Sequence, residues 1–166
     1  MRRKTLAIAF LFLTGGIFLG QEPAANEKEV IDRFLTAWHK AAETADETVY
    51  FDSIADDGVF IGTDAGERWD KAAFLKFALP YFTERQSAWT FRASERHIYI
   101  SADGRLAWFD EVLFSQSYWT SRGSGVLEKT GGNWGIKQYV LSFTIPNAVA
   151  REVKSVVSKH LPPETK

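Results

Sequence analysis

Two acids stand side by side in AWFDEVLFSQS, residues 107–117, where most of the other residues are apolar or aromatic. The run has the composition of a β-strand, and neighbours on a strand point to opposite faces. One carboxylate therefore shares a face with Ala107, Phe109 and Leu113, the other with Trp108, Val112 and Phe114. Alternation alone leaves open which face is interior. A carboxylate buried among apolar groups is pushed up toward neutrality, where it can give or take a proton. Glu111, if it points inward with Phe109 and Leu113, is the candidate proton shuttle. Asp110 is the second candidate, with a rim or interface acid as its plainer reading.

Three further groups could serve such chemistry. Arg122, in RGSG, is expected to face the strand of Glu111; it would hold a substrate carboxylate or oxyanion, or simply brace Glu111 as an ion pair. His97, in SERHIYI, is the one histidine inside the strand pattern, since His39 falls on a predicted helix and His160 in the tail. Its imidazole could relay protons or be an ordinary hydrogen-bonded histidine. Gln138 and Tyr139 are neighbours on another predicted strand, so only one can face a cavity and hydrogen-bond a ligand there. RGSG is no nucleophile elbow, because Arg122 breaks the G-x-S-x-G pattern. No two histidines have metal-ligand spacing, cysteine is absent, and neither G-x-x-x-x-G-K nor G-x-G-x-x-G occurs. No metal site and no cofactor is implied.

The elements that must position these residues follow from periodicity. Val30, Ile31, Phe34, Leu35, Trp38, Ala41 and Ala42 have helical spacing and predict a helix over 27–44, capped by Asn26 with Glu29 three residues on. A short second helix is expected in DETVYFDSI, a strand over 58–63, a loop in DAGERW, and a third helix after Asp70 that Pro80 kinks or ends. The pattern then turns to strands: AWTFRASERHIYIS, with Trp89, Phe91, Ala93 and Glu95 on one face; RLAWFDEVLFSQS; RGSGVLEKT; and WGIKQYVLSFTI. ADG and GGN supply turns. Trp108, Trp119 and Trp134 read as packing. Val149, Val153, Val156 and Val157 mark a final helical stripe. Helices first and antiparallel strands afterwards make an α+β layout.

The 166 residues suit a single domain, and the aromatic content of 14% is high. Net charge is −1, and no Lys/Arg cluster lies in the body of the chain, which argues against nucleic-acid binding. Residues 1–20 differ in kind: MRRK is followed by the apolar run LAIAFLFLTGGIFL, short for a membrane span. This reads as an export signal. Gly20 fits the end of a cleavage site while Phe18 fits poorly, so an uncleaved anchor stays open. Removing the signal with its three basic residues takes the formal charge from −1 to −4. The mature protein would be periplasmic or secreted in a bacterium, without stable membrane insertion.

The stretches FIGTDAGERWDKAAFLKFALPYF, AWFDEVL, RGSGVL and WGIKQYVLSFTIPN, together with the first helix, resemble the SnoaL-like domains of the nuclear transport factor 2-like (NTF2-like) superfamily. The resemblance covers roughly residues 27–147, with 148–166 as a C-terminal helical extension. It implies a cone: a curved antiparallel sheet wrapped around N-terminal helices, with a pocket inside and frequent homodimers through the sheet's outer face. Enzymes of the superfamily commonly place a carboxylate inside the cone. The loop GTDAGERW would lie near its mouth, with Trp69 as a wall and Asp64 or Arg68 as a gate. The implied function is small-molecule binding, with cofactor-free acid–base isomerisation, cyclisation or dehydration of an apolar or aromatic ligand. Glu111, His97 and Asp110 would be catalytic, and Arg122, Trp69, Tyr139, Gln138 and Arg68 would bind. The alternative is a non-catalytic binder or a dimeric interaction module.

Overall fold

The structure, a computed structural model, describes residues 24–160 apart from 86. The predicted export signal lies outside the described residues. Helix α1 spans Ala24–Glu43 and buries Ile31, Leu35, Trp38, Ala41 and Ala42 of the stripe its spacing predicts, with Phe34 half-buried and Val30 exposed at its edge. It begins before Asn26, which therefore lies inside the first turn instead of capping it. Helix α2, Glu47–Asp52, starts on Asp46, whose carboxylate accepts the Val49 amide. Helix α3, Lys71–Thr83, is capped in the same way by Asp70 on the Ala73 amide. Pro80 sits in its last turn; it has no N–H to donate to the Lys76 carbonyl, and the helix ends three residues later.

Six strands form one sheet: β1 (Ile54–Ile61), β2 (Arg68–Asp70), β3 (Arg92–Ile100), β4 (Leu106–Ser115), β5 (Trp119–Thr130) and β6 (Asn133–Phe143), in the order β2-β1-β6-β5-β4-β3. All pairs are antiparallel except β1 with β6. β2 begins inside the segment expected to be loop and ends on the helix cap Asp70; three residues are too few to show periodicity. The sheet covers the helices with one face. Trp38 stacks on Tyr50, with centroids 4.9 Å apart, and Phe60 on Phe74 at 4.0 Å. These rings form the core, each contributing about 1.5–3 kcal/mol by burial. The architecture is α+β: a mostly antiparallel sheet closed on one face by helices.

A register shift between Ala93 and Glu95 decides which side chains of β3 reach the interior. Ala93 pairs with the buried Leu113, but Glu95 pairs with Val112 on the other face. The bulge breaks the face expected to run from Trp89 to Glu95 and turns Arg96, Ile98 and Ile100 inward. On the outer face, Tyr99 stacks on Trp108, and both are about half exposed, as is Phe114; Phe143 lies on the face of Tyr139, its ring 5.6 Å from that of Tyr118. Trp134 alone of the three tryptophans expected to pack is buried. Helix α4, Ala150–Val157, follows a 3-10 turn at Asn147–Val149 and buries none of its residues.

Candidate functional site

Glu111 is the interior acid of the pair. It lies on β4 with Ala107, Phe109 and Leu113, all buried, and its own exposure is 0%. Three side chains from three elements converge on it. Oε1 accepts the Tyr139 hydroxyl of β6 at 3.0 Å and lies 2.7 Å from His39 Nε2 of α1. Oε2 takes Arg96 of β3, with Nε at 2.8 Å and Nη2 at 2.7 Å. Arg96 is held from behind: its Nη1 donates to the Asp32 carbonyl and carboxylate and to the Thr36 hydroxyl. Two guanidinium nitrogens thus crowd one oxygen, and Nη2 is left without a well-aligned hydrogen bond.

Burial pushes the Glu111 carboxyl up, but the His39 hydrogen bond and the charges of His39 and Arg96 outweigh it, and the net shift is downward. The apolar setting expected to keep this acid half-protonated is thus cancelled by partners that strand alternation did not assign to it. Glu111 is an ionised, acceptor-only group. Tyr139 moves the other way: burial, then the adjacent carboxylate, holds its hydroxyl well above the usual tyrosine range, so it stays a donor. Because Glu111 can only accept, His39 Nε2 carries its hydrogen toward Oε1. In neutral imidazole the lone pair is then on Nδ1.

His39 and Tyr139 separate Glu111 from a cavity of about 110 Å³. The wall is aromatic, with Trp38, Tyr50, Phe60, Trp69, Phe74 and Trp89 among its members. Trp69 also stacks on Phe77 at 4.7 Å, so it both walls the cavity and fastens α3 to the sheet. The arrangement is a buried carboxylate that orients an imidazole at the edge of an apolar chamber. It can stabilise the imidazolium formed when that imidazole takes a proton.

The other predicted residues lie elsewhere. Arg122 is opposite Val112 and exposed, whereas Gly123 is opposite Glu111; the strand period puts Arg122 on the outer face, and Arg96 takes the expected ion-pair role. His97 and Asp110 pair with one another on that outer face at 3.3 Å, both half exposed, with Glu95 on the other nitrogen of His97. Gln138 is exposed where Tyr139 is buried, and Arg68 is exposed and lines no wall of the cavity. His39 and Arg96 are functional groups that the sequence pattern did not single out. His39 is four residues after Leu35, on the buried stripe of α1, which was signal enough. Arg96 alternates with Ile98 and Ile100, but its inward direction depends on the bulge. Among the described residues no cluster of three His, Asp or Glu could hold a metal.

A curved sheet closed over helices, with a polar cluster beside an aromatic interior chamber, defines the class of cone-shaped pocket domains. The SnoaL-like domain profile matches residues 31–146, and the chain belongs to that family. No curated protein matches. Among solved structures, an NTF2-like protein of unknown function from Pseudomonas putida KT2440 is similar, with TM-score 0.63 and 15% identity, over 75% of this chain and 91% of the other. A provisionally named scytalone dehydratase from Novosphingobium aromaticivorans has TM-score 0.62 and 13% identity, over 73% and 86%. The association domain of C. elegans CaMKII has TM-score 0.58 and 16% identity, over 71% and 96%. At these identities the likeness is one of fold.

Proposed function

We propose that the protein is an exported, cofactor-free acid–base catalyst that moves a proton on a small, largely apolar cyclic ligand. The observation that carries this reading is His39, which lines the cavity while its Nε2 rests 2.7 Å from a carboxylate with no solvent exposure. Nδ1 is the nitrogen left to meet a ligand. Glu111 balances the charge when His39 takes a proton, and Arg96 and Tyr139 keep Glu111 in place. Isomerisation, cyclisation and dehydration all need such a transfer. At about 110 Å³ the cavity is smaller than the apolar cavity of about 150 Å³ that accepts benzene, so it limits the ligand to a single ring at most. Export is supported by the basic and apolar composition of residues 1–20.

The test is hydrogen–deuterium exchange at the α-carbon of single-ring ketones, 2-cyclohexenone first. Exchange is expected to be accelerated, and His39→Gln to lower the rate by about 10²–10⁴-fold while the ketone still binds. Equal rates in both proteins would refute the catalytic reading. A binder without turnover is the second reading. It is favoured by the complete enclosure of Glu111, whose two oxygens are already taken by three side chains. Binding with no exchange in either protein would select it.

The outer face of the sheet supports a homodimer, because Tyr99, Trp108 and Phe114 leave apolar surface in water. Sedimentation equilibrium is expected to give twice the monomer mass, and Trp108→Glu to return the monomer. A wild-type monomer at micromolar concentration would overturn this.

A further inference from the structure

We infer that the cavity selects a single-ring ligand that carries a positive charge, with Glu67 as the group that receives it. This rests on the reading of the cavity as a binding site and adds the charge of what it binds. No lysine or arginine lines the chamber; apart from the tyrosines, its ionisable side chains are His39 and Glu67. The charge of Glu111 behind the wall is matched by Arg96. Glu67 has no such match: among the described residues no cation lies within ion-pair distance of it.

Its carboxylate is nonetheless held in one place. Oε2 accepts the Asp64 amide at 3.1 Å, the Glu67 amide returns to the Asp64 carbonyl at 3.0 Å, and the Gly62 amide donates to the Glu67 carbonyl at 2.8 Å. Gly62 packs directly on this side chain: a Cβ there would fall 2.3 Å from Glu67 Oε2 and 2.9 Å from its Cβ. The loop is closed around a carboxylate at the chamber wall. Aromatic rings of the same chamber, Trp69 and Trp89 among them, attract a cation that rests over their faces. The arginines of the adjoining groove are engaged, Arg92 with Glu43 and Arg85 over the Tyr81 ring at 4.7 Å, so they offer no free charge to an anionic ligand that meets Glu67.

The test is titration of the folded protein at pH 7 with benzylamine, benzyl alcohol and sodium benzoate, followed by tryptophan fluorescence. Protonated benzylamine is expected to bind about tenfold or more tighter than benzyl alcohol, with benzoate weakest. Glu67→Gln, which keeps an oxygen for the Asp64 amide, should bring benzylamine to the level of the alcohol and leave the alcohol unchanged. Gly62→Ala, which displaces the carboxylate, should do the same. Alcohol or benzoate binding as tightly as the amine, or an amine preference that survives Glu67→Gln, overturns the inference and leaves the cavity as a site for neutral ligands. No binding of any of the three overturns the inference and the binding-site reading together.

Discussion

Arg96→Met is expected to destabilise the protein by about 3–5 kcal/mol, the usual cost of leaving a buried charge without its partner. Glu111 would keep only the His39 and Tyr139 hydrogen bonds, in a position with no access to water. The double variant Arg96→Met, Glu111→Leu should recover much of the loss, because the charge to be compensated is gone. Urea denaturation of the three proteins checks this. The pH dependence has a definite sign. Wild-type Glu111 titrates below its ordinary value of 4.5, so its contribution is present above that pH and lost as acid protonates it. In Arg96→Met the burial effect is less opposed, and protonation of Glu111 relieves it. The stability gap between wild type and variant should therefore narrow as the pH falls from about 7 toward 4. A gap below about 1 kcal/mol at pH 7, or one constant with pH, would show that the pair contributes little.

The second large effect is expected at Gly123, which lies opposite Glu111 on β5. A Cβ there would sit 2.3 Å from the Tyr139 hydroxyl and 2.7 Å from Glu111 Oε1. No side chain fits unless that hydrogen bond opens. Gly123→Ala should cost about 1–3 kcal/mol in overpacking, and about 1.5–3 kcal/mol more if the hydroxyl leaves the carboxylate. Tyr139→Phe removes the closest clashing atom. The two substitutions together should therefore cost clearly less than the sum of their separate effects, by about 1 kcal/mol or more in a double-mutant cycle. Simple additivity would mean that the backbone absorbs the methyl group without disturbing the cluster.

The sequence carried the fold further than the site. Binary patterning made α1, α3 and the long strands legible, and the capping acids Asp46 and Asp70 sit where helix starts demand them. The pairing of functional groups was less accessible because it depends on register. Arg122, the expected partner of Glu111, and Arg96, the observed one, lie on the two strands that flank it; the bulge near Ser94 and the opposition of Glu111 to Gly123 make Arg96 the partner. Likewise His97 lies in the strand pattern and His39 on a helix, yet the helix face is the one that meets the interior. Local alternation says which residues share a face. It does not say which face a curved sheet turns inward, nor where a bulge reverses the alternation.

The proposed chemistry requires that Glu111 fix the His39 imidazole with hydrogen on Nε2 and a lone pair on Nδ1, ready for a ligand proton. Long-range ¹H–¹⁵N correlation of the imidazole nitrogens, assigned with His39→Gln, reads this directly. A protonated Nε2 and a bare Nδ1 are expected in the neutral ring, with Nδ1 shifting when a cyclic ligand enters the cavity. A neutral ring protonated on Nδ1, or an Nδ1 signal indifferent to a ligand that quenches the cavity tryptophans, would contradict it.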